Sequence, residues 1–378
     1  MIRVMNIISD TNIGGAGRVL LNYLKYCDRT RFRVSVALPE GSALLDPLRA
    51  LDAPLYEIGG MADRSADAAA IRLLQDVIRR EGADIVHTHG SLSGRIAGRR
   101  CGCAVVYTRH SAFPVKSCIR RPPGRWLNKA FNEHYADRII AVSPAAAQNL
   151  YDGGISPKLV VTMMNGVEPV PRLPDAAVRA FRAAHGIGDG DFVAGILARI
   201  EDYKGHMDIL EAVHLARERG YPQLRLLVAG TGGYEAEVRA RCHVLGLDDA
   251  VRFLGFVEDV APVLSALDVQ LNASWGTETS SLSILEGFSM GLPAVVSDYG
   301  GNPCLIEQGV NGFLFPARDA HALADALCAL MDAPEQRSAL GMGARRIYQE
   351  RFTGARFARD VEEIYTELYE EKQHGKRK

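Results

Sequence analysis

Short apolar runs alternate with amphipathic stretches along the whole chain. In the first half the runs fall at 4–8, 33–38, 85–89, 104–108 and 139–142, each a length suited to a buried strand. Between them, 18–27 and 67–80 repeat their apolar residues at helical spacing, as a helix with one buried face does. The pattern then resumes, with strands expected at 192–197, 225–229, 251–254, 269–271 and 294–297 and helices between them. Strands alternating with helices predict an α/β fold with parallel sheets.

The alternation occurs twice. The Pro-rich segment Glu168-Pro-Val-Pro-Arg-Leu-Pro174 separates the two sets and reads as a stiff, extended linker. A chain of 378 residues also exceeds what one core usually supports. The expected organisation is a first domain over 1–170, a second over 171–350, and a terminal helix from 351 that ends in the basic tail His374-Gly-Lys-Arg-Lys378.

Composition narrows the class. Hydrophobic residues make up 47% and charged residues 24%, ordinary values for a soluble globular protein. No apolar stretch is long enough to span a membrane and no secretory segment is present, so a cytoplasmic protein is expected. Seven scattered cysteines, an odd number, argue against a disulfide framework. Cys101-Gly-Cys103 is a close pair with too few partners nearby for a metal or redox site. Charge is uneven. Residues 1–172 hold 23 of the 44 basic and 15 of the 45 acidic side chains, so the first half is basic and the second acidic. The two halves should therefore meet different partners.

The most informative stretch is Trp275-Gly-Thr-Glu-Thr-Ser-Ser-Leu-Ser-Ile-Leu-Glu-Gly-Phe-Ser-Met-Gly-Leu-Pro293. Thr279, Ser280 and Ser281 are helix N-cap residues, and an apolar helical pattern follows them. Glu278 should lie in the loop before that helix, with Glu286 about two turns inside. A helix N-terminus with small hydroxyl residues suits a phosphate, and a carboxylate on each side can accept hydrogen bonds from sugar hydroxyls. A diphosphate flanked by two sugars is the shape of a nucleotide sugar.

Other segments offer compatible chemistry. Arg199 and Lys204 follow a strand in Ala198-Arg-Ile-Glu-Asp-Tyr-Lys-Gly205 and suit a diphosphate, unless they simply pair with Glu201 and Asp202. Gly14 and Gly15, after the first strand, let backbone approach an anion or merely form a tight turn. Their spacing is not Gly-x-Gly-x-x-Gly, which argues against a dinucleotide-dependent dehydrogenase. His87-Thr-His89 has metal-ligand spacing but no carboxylate or Cys partner nearby, so no metal is expected; His89 could instead line a cleft floor. Arg109, Lys116, Arg120, Arg121, Arg125 and Lys129 form a cation set without an acid, interleaved with Phe113, Ile119 and Trp126. This composition suits an anionic membrane surface or an anionic lipid-linked acceptor, or else a solvated basic loop. No nucleic-acid motif accompanies it, so nucleic acid is not an expected partner.

The run holding Glu278 and Glu286 resembles the Glu-x7-Glu signature of retaining GT-B glycosyltransferases of family 4. Ala198–Gly205 is similar to that family's Gly-Arg-Leu-x-x-x-Lys-Gly motif, with Ala198 replacing Gly. The resemblance implies two Rossmann-like domains with parallel sheets facing across a cleft, the terminal helix crossing back to the first. It implies retaining transfer from a nucleotide-diphosphate sugar, UDP- or GDP-linked, to a hydroxyl of a glycan or lipid-linked acceptor, without cofactor or metal. Arg199 and Lys204 would stabilise the leaving diphosphate, Glu278 would bind the donor sugar and Glu286 the ribose. Gly15 would approach the diphosphate and His110 the sugar. Ala229-Gly-Thr-Gly-Gly233, with Gly232, resembles the turn beneath the nucleoside, and Phe256 and Val257 lie in a segment resembling the one whose backbone meets the base. The enzyme would work in the cytoplasm, peripherally on the inner membrane face. Two other readings stay open: a related GT-B hydrolase or epimerase of nucleotide sugars, and a non-catalytic two-lobed binding protein.

Overall fold

Runs rich in Val, Ile, Leu and Ala form the strands, because both faces of a parallel sheet are covered by helices. The computed structural model describes residues 1–61 and 66–375; of the expected basic tail, residues 376–378 lie outside the described residues. The chain divides into two compact units, one of residues 1–166 with 354–378, the other of 167–353.

Unit 1 contains a seven-stranded sheet. Its strands are β1 (Ile2–Ile8), β2 (Phe32–Pro39), β3 (Leu55–Ile58), β4 (Ile85–His89), β5 (Ala104–Arg109), β6 (Arg138–Ala141) and β7 (Val160–Thr162). They lie in the order β3-β2-β1-β4-β5-β6-β7, all paired in parallel. The order reverses between β1 and β4. The helix Gly354–Gly375 belongs to this unit and buries Tyr365 fully against Phe32 and Tyr23. Glu362 on the same helix accepts the backbone N–H of Asp28 at 2.7 Å.

Unit 2 contains a six-stranded sheet of β8 (Phe192–Leu197), β9 (Leu224–Ala229), β10 (Val251–Gly255), β11 (Val269–Asn272), β12 (Ala294–Ser297) and β13 (Gly312–Phe315). The order is β10-β9-β8-β11-β12-β13, again parallel, and it reverses between β8 and β11. In open parallel sheets the carboxyl ends of the strands flanking such a reversal form a crevice suited to ligands. In unit 2 the loops leaving β8 and β11 carry Arg199, Lys204 and Glu278.

The alternating pattern located ten of the thirteen strands. The other three, β3, β7 and β13, combine three or four residues with partial burial, so their apolar signal is weak. The Pro-rich segment also differs from a free linker. Val170 N donates to Ser289 Oγ at 2.9 Å and Leu173 N to Ser265 Oγ at 3.0 Å, so serines of unit 2 bind the backbone at both positions. Among the described residues no helix is long and apolar enough to cross a membrane.

Candidate active site

In unit 2 the site begins with backbone that allows no extra atom. Gly205 has φ 74°, and a Cβ there would stand 2.1 Å from the carbonyl oxygen of Ala273. A Cβ on Gly300 or Gly301 would meet the carbonyl oxygens of Glu278 and Thr279 at 2.2 and 1.8 Å. Trp275 N donates to Tyr203 O at 2.9 Å. The loops after β8, β11 and β12 are thus pressed together by main-chain contact. Thr277, beside Glu278, is held at φ 54°, a left-handed conformation costly for a Thr.

This packing encloses Glu278, 6% exposed. Its Oε2 accepts Lys204 Nζ at 2.8 Å, Ser274 Oγ at 3.0 Å and Asn272 Nδ2 at 3.2 Å. Burial alone would raise the carboxyl's pKa. The Lys204 ammonium and the hydrogen bonds outweigh it and hold the group below its ordinary value. Oε1 accepts none of these bonds, which leaves an ionised, desolvated oxygen able to take a hydroxyl proton donor. Asn272 and Ser274 are tied in turn to Asn302 and Ser297. Asn272 Oδ1 accepts Ser274 N and Asn302 Nδ2, at 3.0 and 3.3 Å. Ser297 Oγ accepts Asn302 Nδ2 at 3.1 Å and donates to Ser274 O at 2.6 Å.

The alternative pairing of Arg199 and Lys204 with Glu201 and Asp202 is not formed among the described residues. Lys204 pairs with Glu278, and exposed Arg199 donates a 3.3 Å hydrogen bond to Tyr203 OH. The next residue after Gly205 is His206, almost fully buried, with neither ring nitrogen hydrogen-bonded among the described residues. Burial, aided by Lys204, pushes its pKa down to about 4.

The helix after Glu278 is Leu282–Ser289. Ser281 is its N-cap residue but makes no capping hydrogen bond; its hydroxyl meets Ser283 Oγ at 3.2 Å. Ser280 Oγ is buried and unpartnered among the described residues. First-turn amides without a side-chain cap, beside an unpaired hydroxyl, form an anion-accepting end. Glu286 is the fifth helical residue, on the second turn rather than beyond it, and is half-buried. Gly232 is required by packing, because a Cβ there would meet Ile200 O at 2.1 Å. Phe256 is 68% exposed after β10, and Val257 packs into the core beneath it.

In unit 1, Gly14 precedes the helix Gly15–Tyr26 at φ −91°. A Cβ on Gly15 would meet nothing within 4 Å, and one on Gly14 only Asp10 Oδ2 at 3.8 Å. Neither glycine is demanded by the chain's own packing. His110 follows β5, and its Nε2 lies 2.9 Å from His89 Nδ1. Burial pushes its pKa to about 4. Among the described residues no group of three or more His, Cys, Asp or Glu is placed to hold a metal.

The basic segment is not a loop throughout. It forms the helices Ser117–Arg120 and Gly124–Tyr135. Arg109 and Arg125 turn inward: Arg109 donates to Asn149 Oδ1 at 3.1 Å, and Arg125 to the carbonyls of Asp152 and Tyr151 at 2.8 and 3.2 Å. Lys116, Arg120, Arg121 and Lys129 are exposed, Lys129 lying 3.9 Å from Glu133. They share the segment with Phe113, Trp126 and Leu127, exposed by 57%, 66% and 68%.

Two predictions follow from these electrostatics. Lys204→Met leaves Glu278 buried without its cation and should cost about 3 kcal/mol in urea unfolding, most of it regained in Lys204→Met/Glu278→Gln. A loss below about 1 kcal/mol, as for an exposed pair, would refute the buried pairing. Burial holds His87, His89, His110 and His206 below their ordinary pKa, the first to about 3. The unfolded chain therefore binds these protons more readily. Their contribution is complete above about pH 6.5 and is lost as pH falls toward about 4. The depressed Glu278 carboxyl acts in the same direction. The thermal midpoint should be level above neutrality and drop across that window; a level profile there contradicts buried neutral histidines.

Residues 13–170 match a model described as Glycosyltransferase Family 4, and residues 191–333 one described as Glycosyl transferases group 1. The chain is 31% identical over 307 residues to a D-inositol 3-phosphate glycosyltransferase of Saccharomonospora viridis, covering 75% of this chain and 70% of the relative. It is 26% identical to an Escherichia coli UDP-Gal:alpha-D-GlcNAc-diphosphoundecaprenol alpha-1,3-galactosyltransferase, covering 85% of each. Anabaena Alr3699/HepE, solved in complex with UDP-glucose, superposes with a TM-score of 0.84 at 22% identity, over 97% of this chain and 100% of that one. Its fold is that of the GT-B enzymes, and the chain belongs to the glycosyltransferases.

Proposed function

We propose that the chain transfers a sugar from a nucleoside-diphosphate donor to a hydroxyl acceptor with retention of configuration, and that unit 2 holds the donor. The observation that carries this reading is Glu278: a buried, ionised carboxylate with one oxygen engaged by Lys204 and the other open, set just before an uncapped helix N-terminus. Such a carboxylate orients sugar hydroxyls, while the adjacent amides and Arg199 receive the diphosphate. Glu286 serves the ribose hydroxyls, and Phe256, Val257 and the turn at Gly232 the nucleoside. A UDP donor is favoured, since the Anabaena neighbour binds UDP-glucose and the Escherichia coli relative is named for UDP-Gal.

In unit 1 the amide of Gly15, unobstructed by a side chain, serves the diphosphate, and His110 a sugar hydroxyl. As the anomeric C–O bond breaks, negative charge develops on the departing diphosphate. Arg199, Lys204 and the amides around Thr279, Ser280 and Ser281 stabilise it. The acceptor oxygen bonds the same face of the anomeric carbon, and its proton passes to a phosphate oxygen of the leaving group. No side-chain base or covalent intermediate is needed, so catalysis is electrostatic and positional.

The acceptor reading rests on the exposed segment of unit 1. Trp126, Leu127 and Phe113 beside Lys116, Arg120, Arg121 and Lys129 suit a lipid-linked, phosphate-bearing acceptor at an anionic membrane surface. Both named relatives have acceptors that carry phosphate.

UDP and UDP-sugars should raise the unfolding temperature in the presence of EDTA; at about 100 times the dissociation constant the gain is about 2.7 kcal/mol. Arg199→Ala should lower turnover about 10²–10³-fold. No shift with any nucleotide, or full turnover in Arg199→Ala, would overturn the donor site. In flotation, vesicles with anionic lipid should carry more protein than neutral ones, and Trp126→Ser/Leu127→Ser should abolish the difference. Equal recovery from both lipids would refute the membrane surface while leaving the donor site standing.

A further inference from the structure

The two cations proposed for the diphosphate meet a common neighbour, Tyr203, which lies half-buried in the loop after β8. Its hydroxyl accepts Arg199 Nη2 at 3.3 Å, and its ring centroid lies 5.8 Å from Lys204 Nζ. A guanidinium carries only N–H donors, so the phenol oxygen is the acceptor in the first contact. The second is within the range of cation–π attraction.

Tyr203 is itself held from the loop after β11. Its carbonyl accepts Trp275 N at 2.9 Å. A Cβ on Gly276 would stand 2.9 Å from the Tyr203 Cβ, so the backbone there lies directly against the tyrosine side chain. The Trp275 ring in turn carries the Arg318 guanidinium, 4.9 Å from its centroid. Arg318 has φ 67°, a left-handed conformation costly for an Arg. Glu278 follows Trp275 three residues later, so the loop that grips Tyr203 is also the one that carries the buried carboxylate.

Arg199 gains most from such a neighbour. It is exposed, and it forms no pair with Glu201 or Asp202 among the described residues. A long exposed side chain samples many rotamers, and fixing it on an anion costs that freedom on binding. A guanidinium already held by a phenol oxygen has less freedom to lose.

We propose that Tyr203 is a positioning residue whose hydroxyl holds the Arg199 guanidinium ready for the donor diphosphate, while its ring lies beside the Lys204 ammonium. The proposal rests on the reading of Arg199 as a diphosphate ligand and adds what aligns it. Because Tyr203 acts through Arg199, its hydroxyl matters only while Arg199 is present.

The test is a double-mutant cycle on the full-length protein, read as affinity for UDP, with uridine as the ligand that lacks phosphates. Tyr203→Phe keeps the ring and removes the hydroxyl. It should weaken UDP about fivefold, the scale of one hydrogen bond, and leave both uridine binding and the unfolding temperature of the ligand-free protein little changed. Arg199→Ala should weaken UDP about tenfold or more, as the loss of a charged donor does. Tyr203→Phe added to Arg199→Ala should weaken it no further. Tyr203→Phe with wild-type affinity for UDP overturns the proposal. So does the same loss in both backgrounds, which would put the hydroxyl on the ligand or in the service of the fold, and so does an equal loss for uridine. Failure of the underlying reading looks different: the wild type does not bind UDP, or Arg199→Ala binds it as the wild type does.

Discussion

The buried ion pair between Lys204 and Glu278 joins the two halves of unit 2's sheet at the point where strand order reverses. Lys204 follows β8 and Glu278 follows β11, and these strands are neighbours although more than seventy residues separate them in sequence. Removing two charges from water is expensive, and attraction between them repays it only with good geometry and further hydrogen bonds. Asn272 and Ser274 supply those bonds, and Asn302 and Ser297 hold Asn272 and Ser274 in turn. The outcome is a carboxylate that stays ionised where burial would otherwise neutralise it. A carboxylate a few residues before a helix N-terminus would repel a bare phosphate, yet it suits a ligand whose phosphate and sugar lie side by side.

Glycines do the complementary work. Gly205, Gly232, Gly300 and Gly301 allow main-chain segments to touch where any side chain would collide with a carbonyl oxygen. They bring the loops close enough for a single carboxylate to be reached from several strand ends. Gly14 and Gly15 behave differently, since among the described residues none crowds the space a side chain would take. In one case absence of a side chain permits packing; in the other it leaves backbone open to approach.

Much of this was legible in the order of residues. Alternation of apolar runs gave the α/β class and ten strands, and the hydroxyl-rich approach to Leu282 located the helix start. The missed strands β3, β7 and β13 are short and only partly buried, whereas the equally short β11 and β12 are fully buried and were located. Asn272, Ser274 and Asn302 were not picked out as site residues because polar residues at strand ends are common, and only the strand order shows that these three meet. Lys204 was placed on the diphosphate, but its partner Glu278 is seventy-four residues away and no local pattern reports such a pairing. His206 was missed for a related reason: a histidine opening a helix reads as exposed until the packing of Gly205 against Ala273 draws it inward. The cation set was read as one surface. Arg109 and Arg125 left it because carbonyl and amide oxygens lay within reach inside the unit, and charge counting takes no account of such partners.

Backbone hydrogen exchange with and without UDP tests the account most directly. If unit 2 holds the donor through the helix after Glu278, UDP should slow exchange at the amides of 279–285 and of 199–205, with a smaller effect at the turn around Gly232. Tight binding that leaves those amides unchanged and protects another part of the chain would contradict the account, whatever the turnover measured.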